Sequence, residues 1–198
     1  ESKPYDGELL PREDAVRVGG AYTVATFAIT LDDNGRLSSY RRLGEGEGVA
    51  DSEAVWHFTC VCQRPSSWYN NQTYIDTLSP EAVDEFIRVT YDAYKENVGE
   101  DFGGTIPAIF TDEPQFASKG FLRFSTPGGR VSLPWTPTLP ETFFASYGFA
   151  IVDYLPELIY ELPDSKISRA RYFYHDHVSE LFASAFLDRC GQWCAKNG

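Results

Sequence analysis

Several features are missing from this chain, and each absence argues against a class of function. It has no basic stripe: 17 Lys and Arg stand against 29 Asp and Glu, for a formal net charge of −12 at pH 7. Clustered cations are what a phosphate backbone or an anionic membrane attracts, so neither nucleic acid nor membrane is expected as a partner. No stretch approaches the roughly 18 to 20 apolar residues that a spanning helix needs, and no charged leader followed by an apolar run opens the sequence. The chain is therefore expected to be soluble as it stands. Neither an HExxH helix nor a His-x-His strand end occurs, which leaves metal-dependent hydrolysis little support. No cofactor and no metal are expected.

What is present is the composition of a globular domain. At 198 residues the chain can bury one good core, with or without a small appendage. The 42% apolar share and the lack of low-complexity tracts argue against disorder. Aromatic residues are abundant, with 14 Phe, 12 Tyr and 4 Trp. Flat rings stack on the apolar faces of pyranoses in sugar-binding clefts, but the same excess can simply fill a Phe-rich core. Cys60 and Cys62 share one face of a strand-like run, and Cys190 and Cys194 lie one helical turn apart. Their spacing is not one of the tight zinc patterns, so buried thiols, disulfides and metal all stay open, the thiols foremost. Asn71-Gln72-Thr73 is a glycosylation sequon and favours an exported, secreted or extracellular protein.

Along the chain, residues 1–53 read as a β-rich appendage. Two β-like runs, 21–31 and 37–43, flank the turn signal Asp32-Asp33-Asn34-Gly35 and predict an antiparallel hairpin. Gly44-Glu45-Gly46-Glu47-Gly48 reads as a connector, and residues 55–61 as a buried strand that holds His57 as a satisfied core histidine. Ser79-Pro80-Glu81 is a strong helix start, and apolar periodicity carries that helix to Gly99. Residues 105–110 (TIPAIF) form a short apolar run of the kind a buried parallel strand shows. A long loop over 115–137, short helices over 140–147 and 153–161, and one long helix over 165–196 complete the pattern.

The predicted architecture is thus α/β, a partial (β/α)8 TIM-barrel segment over 54–198 behind a small N-terminal antiparallel β appendage. A full barrel takes roughly 250 residues. The chain is accordingly expected to be part of a longer protein, with the remainder of its own polypeptide as a partner.

In such a barrel, catalytic groups sit at the C-terminal ends of the strands, where Thr111-Asp112-Glu113-Pro114 falls. Glycoside hydrolysis uses one carboxylic acid to protonate the leaving oxygen and a second carboxylate as nucleophile or base. Adjacent strand residues point apart, so Asp112 and Glu113 do not make that pair alone. Glu113 is the candidate acid, with Asp112 orienting it or binding a sugar hydroxyl. As an acid, Glu113 is expected in a partly desolvated pocket. An acidic pair before proline can equally be a turn and cap device. Asp76 can bind sugar or cap a helix, and Trp68, Tyr69 and Trp135 can stack on a carbohydrate substrate or cover the core edge. His175, Asp176 and His177 do not share a helical face.

The run 74–83 (YIDTLSPEAV), the helix after it and residues 106–114 (IPAIFTDEP) resemble glycoside hydrolases of the α-L-rhamnosidase type and their uncharacterised relatives. The similarity extends over about 54–198, including Leu133-Pro134-Trp135 and Tyr174-His175-Asp176. It implies a TIM-barrel catalytic domain that hydrolyses a terminal sugar, commonly by inversion with paired glutamates. Asp-Glu-Pro also looks like the Asn-Glu-Pro of many retaining barrel glycosidases, with Asp112 in place of Asn. The second carboxylate of such enzymes matches no residue of this chain. The alternative class is a non-catalytic carbohydrate-binding or structural fragment.

Overall fold

The computed structural model describes residues 21–62, 65–69, 71–116 and 130–198. In chain order these form β1 (Tyr22–Leu31), β2 (Leu37–Arg42), β3 (Ala54–Cys60), α1 (Pro80–Ile87), α2 (Ala93–Val98), α3 (Leu139–Tyr147), α4 (Arg169–Phe182) and α5 (Asp188–Asn197). Short 3-10 and π-helical turns link several of them. The described residues fall into two compact units, one within 21–74 and 130–175 and the other within 75–116 and 176–198. Of the expected β appendage, residues 1–20 lie outside the described residues, as does most of the expected loop over 115–137.

The first unit is built on an antiparallel sheet in the order β2-β1-β3. Its hairpin forms where the sequence signals one. The Asp32 carboxylate accepts the N–H groups of Asn34 (2.9 Å) and Arg36 (2.8 Å), and Gly35 takes a φ of 72°, which costs glycine nothing. Along β1 the period-2 alternation sends Ala25, Phe27 and Ile29 inward. Phe27 stands opposite Trp56 of β3 and meets the rings of Tyr40 and Phe58 edge-on at 5.9 and 5.7 Å. The Gly-Glu connector folds onto Arg41, whose guanidinium donates to Glu53 at 3.0 Å and to the Gly48 carbonyl at 2.9 Å.

β3 is not a fully buried strand. Only Trp56 along it is buried, while Val55 and His57 are exposed. His57 pairs with the Thr26 hydroxyl at 3.2 Å on the open face of the sheet, so it is not a core histidine.

The buried sheet face is closed by irregular helical turns. Ile151, Leu155 and Leu158 fill the interior from the 3-10 turns Ile151–Asp153 and Leu155–Leu158. A helix over 153–161 does not form, because Pro156 lacks an N–H and its ring opposes a continuous α-helical ladder. Polar anchors lock the layer: Trp56 Nε1 donates to the Tyr160 hydroxyl (3.1 Å), Tyr40 to Glu157 (2.6 Å), and the β2 amide of Leu37 to the Glu161 carbonyl (2.8 Å). Burial and the Glu157 carboxylate both push the Tyr40 phenol far above its ordinary range. α3 stops at Gly148, with a φ of 75°. The long helix begins later than predicted, at Arg169, because Asp164 and Ser165 take left-handed φ values of 55° and 56°. The Ser168 hydroxyl then caps it by accepting the Arg171 N–H at 3.0 Å.

The second unit is helical. Ser79 caps α1 by accepting the Ala82 N–H at 3.3 Å, and Pro80 occupies the first turn. The helix runs through a π-helical turn, Arg88–Asp92, into α2. Val83, Ile87 and Tyr91 of this stretch pack with Phe186 as the core, lined by Ile109, Phe182, Cys190 and Trp193. Arg189 to Asp84 (2.5 Å) and Trp193 Nε1 to Asp92 (2.8 Å) tie α5 alongside.

This arrangement overturns the partial (β/α)8 barrel. Such a segment needs parallel strands each followed by a helix, and the sheet here is a three-stranded antiparallel one. Residues 105–110 form no strand. Gly103 donates to the Ile106 carbonyl (3.0 Å) and Ile106 to the Asp101 carbonyl (2.9 Å), which turns the chain back on itself where a ladder would begin. Pro107 then removes a donor that a central strand requires. The molecule remains mixed α/β, with the sheet in one unit and none described in the other.

Candidate functional site

Asp112 and Glu113 lie in a stretch without regular secondary structure, residues 107–116, in the helical unit. The stretch is fastened on both sides of the acidic pair. Before it, the Thr111 hydroxyl meets the Tyr91 hydroxyl at 3.1 Å, and after it the Gln115 carbonyl accepts from the Thr77 hydroxyl at 2.8 Å. Ile109 packs on the helical core, and the Phe116 ring meets that of Phe182 at 5.3 Å. Burial raises the Tyr91 phenol, while the hydrogen bond with Thr111 works the other way.

Between these anchors both carboxylates are exposed, contrary to the expected desolvated pocket for Glu113. Glu113 has a φ of 42°. Left-handed backbone is cheap for glycine and uncommon for glutamate, so the local structure holds Glu113 where its own preference does not.

Asp76 is half-buried in the same unit, and its carboxylate accepts the Leu78 N–H at 3.0 Å. It shapes the turn that delivers Ser79 to its cap position. The three aromatic candidates belong to the sheet-bearing unit. Trp68 sits on the 3-10 turn Ser67–Tyr69 and is 86% exposed. Tyr69 is half-buried against Tyr74, with ring centroids 5.0 Å apart. Trp135 is half-buried between Pro134 and Thr136, both buried, and its indole N–H is enclosed without a hydrogen bond of ordinary geometry. It still lies near enough to Tyr22 to favour that phenolate. Burial, and then the Cys60 thiol, act in the opposite sense and push Tyr22 up to about 12.

No disulfide joins the four cysteines, which are half-buried, and burial raises the Cys190 thiol. Among the described residues no group of three or more His, Cys, Asp or Glu side chains is placed to hold a metal ion. His177 is buried, and burial lowers its pKa against the pull of Asp176 and Glu180.

Sequence reasoning passed over Tyr91, Thr77 and Asn71. Tyr91 reads as one more apolar position of a helical period, and the period carries no sign of the hydroxyl at its tip. In the sequence Asn71 signals only a sequon, whereas in the structure it is exposed with a φ of 58°. Compared with known proteins, the chain matches no family model, no curated protein and no solved structure.

Proposed function

We propose that this chain carries part of a glycoside hydrolase site, with Glu113 as the carboxylic acid that protonates the leaving oxygen and Asp112 as its orienting neighbour. The observation that carries this reading is the backbone of Glu113: a non-glycine residue held at a φ of 42° between two side-chain anchors, with its carboxylate exposed. A turn that only needed to reverse would favour glycine or asparagine there. A glutamate held in strained backbone is the kind of outlier that clusters at functional sites. Two exposed carboxylates next to each other leave room for a neutral sugar and its hydroxyls, and the resemblance to rhamnosidase-type enzymes supplies the substrate class, a terminal sugar. A non-catalytic carbohydrate-binding role is the second reading, favoured by the exposed ring of Trp68.

The test is a pair of variants assayed on glycosides with poor and with activated aryl leaving groups. Glu113→Gln keeps the shape and removes the proton donor, so turnover of poor leaving groups is expected to fall by about 10²-fold or more, with a smaller loss on aryl substrates. Glu113→Gly relieves the left-handed strain, so it is expected to abolish the same activity while unfolding no more easily than the parent. Unchanged rates for Glu113→Gln on both substrate classes would return Glu113 to the role of a turn residue.

A further inference from the structure

We infer that Cys190 and Cys194 form a two-thiolate site for a soft monovalent d10 cation, with copper(I) as the ion it takes. The site lies in the helical unit, and the inference does not depend on the hydrolase reading.

Both side chains lie on the face of α5 that packs against the Val83, Ile87, Tyr91 and Phe186 cluster. Residues four apart on a helix have Cβ atoms about 5 to 6 Å apart. A disulfide needs Cβ atoms about 3.5 to 4.5 Å apart, so the pair does not close on itself unless the helix deforms. An ion between the sulfurs fits the wider gap, because two metal–thiolate bonds of about 2.3 Å hold the sulfurs up to about 4.6 Å apart.

The backbone around the pair is unusual. Two π-helical turns, Arg88–Asp92 and Ala183–Leu187, supply Tyr91 and Phe186 to the cluster. Such turns are rare and occur frequently at functional sites. Phe182, Phe186, Cys190 and Cys194 recur every four residues, a spacing that drifts around an α-helix of 3.6 residues per turn. The wider π-helical turn takes up that drift, so that Phe182, Cys190 and Cys194 all pack against the cluster to which Phe186 belongs. Trp193, beside Cys194, is fixed there too: its ring meets Tyr91 at 5.1 Å, and its indole N–H donates to Asp92 at 2.8 Å.

The donor set limits which ion fits. Thiolates select soft metals. Zinc takes four ligands, whereas among the described residues no third His, Cys, Asp or Glu is placed to join the pair, and the chain has no methionine to add a thioether. Copper(I) is satisfied by two thiolates in line, and the apolar wall of the cluster limits the access of water to it. Burial opposes a Cys190 thiolate, the Tyr91 phenol favours it, and a charged Cys194 opposes it. Binding resolves that conflict. Two S–H bonds break and two metal–sulfur bonds form, two protons leave for solvent, and the complex carries one negative charge where two separate thiolates would carry two.

The test uses the full chain carrying Cys60→Ser and Cys62→Ser, which removes the other two thiols. Titrated anaerobically with copper(I) in competition with the chelator bicinchoninate, it is expected to take up one equivalent, with sulfur as the metal's only neighbour by X-ray absorption. Adding Cys190→Ser or Cys194→Ser is expected to weaken uptake by about a hundredfold or more, since one thiolate is left. Because either substitution can disturb the packing, the intact pair is read as well. One equivalent of copper(I) should slow iodoacetamide alkylation of Cys190 and Cys194 together, as measured by peptide mass. The site would be overturned by no uptake of copper(I), by nitrogen or oxygen neighbours at the metal, by protection of one cysteine or neither, or by either added serine leaving affinity at the parent's level.

Discussion

The two units use their apolar residues differently. The sheet-bearing unit has a core of large side chains, with Phe27, Ile29, Phe143 and Tyr174 each no more than 1% exposed and the polar tips of Trp56 and Tyr40 partnered, while Val55, Phe144 and Tyr172 stay at its surface. The helical unit packs a cluster of Val83, Ile87, Tyr91 and Phe186 and keeps an apolar run, residues 105–110, largely outside it. Close packing around its core makes the first unit intolerant of change there. The second has an open stretch whose geometry depends on a few side-chain anchors, which is where a reactive carboxylate can be held in a strained conformation.

The largest test of that contrast is Phe27→Ala. Phe27 is 1% exposed and central to the ring contacts with Tyr40 and Phe58, so its loss should destabilise the sheet-bearing unit by about 3 to 5 kcal/mol. Denaturant unfolding with near-UV circular dichroism measures this. A cost under about 1 kcal/mol would show that the core relaxes around the hole and is not tightly packed.

An intermediate effect belongs to the helical unit. Ser79 accepts the Ala82 N–H and donates to Glu81 at 3.0 Å, so Ser79→Ala should cost about 1 kcal/mol. Because α1 provides Val83, Ile87 and, through its continuation, Tyr91, fraying it should also loosen the Thr111 anchor. Faster hydrogen exchange at Thr111 in the variant is the expected signature, and unchanged exchange would separate the cap from the candidate site.

These elements show what the sequence made legible. The hairpin turn could be read because Asp32 and Gly35 act through contacts within a few residues, and the start of α1 because Ser79, Pro80 and Glu81 act within one turn. The strand over 105–110 could not be settled this way. An apolar run specifies that a segment suits burial, but not whether a neighbouring strand exists to pair with it, and the hydrogen bonds from Gly103 and Ile106 turn the chain back instead. The helix over 153–161 failed on a single residue, Pro156, whose periodic neighbours concealed it. At the site, Asp112 and Glu113 stood out as residue types, whereas the left-handed φ of Glu113 and its anchors from Tyr91 and Thr77 are tertiary facts with no local pattern.

A smaller effect depends on pH. His177 is buried in the helical unit with its pKa lowered, so between that value and the unfolded value near 6.5 the unfolded chain binds more protons than the folded one. Stability from this group is complete above about pH 6.5 and is lost as the pH falls through the window below it. The thermal midpoint should therefore decline from pH 7 towards pH 5, and His177→Gln should flatten that part of the profile. An unaltered slope in the variant would assign the decline to other groups.

The smallest expected effect bears most directly on how the two units differ. Phe110 is 85% exposed, two residues before Asp112, while its neighbour Ile109 packs on the helical core. If the unit leaves that ring in water, Phe110→Ser removes no buried surface and should change stability by no more than about 0.5 kcal/mol, whereas Ile109→Ala should cost more through lost packing. Both variants should keep the denaturant slope of the parent, since neither alters how much surface unfolding exposes. A cost of about 2 kcal/mol for Phe110→Ser would mean that the ring is covered in solution and that residues 105–110 pack as their apolar pattern first indicated. The contrast between the units would then narrow, because the helical unit would also be burying its large apolar side chains, and the exposed setting of Asp112 and Glu113 would have to be judged against whatever lies over Phe110.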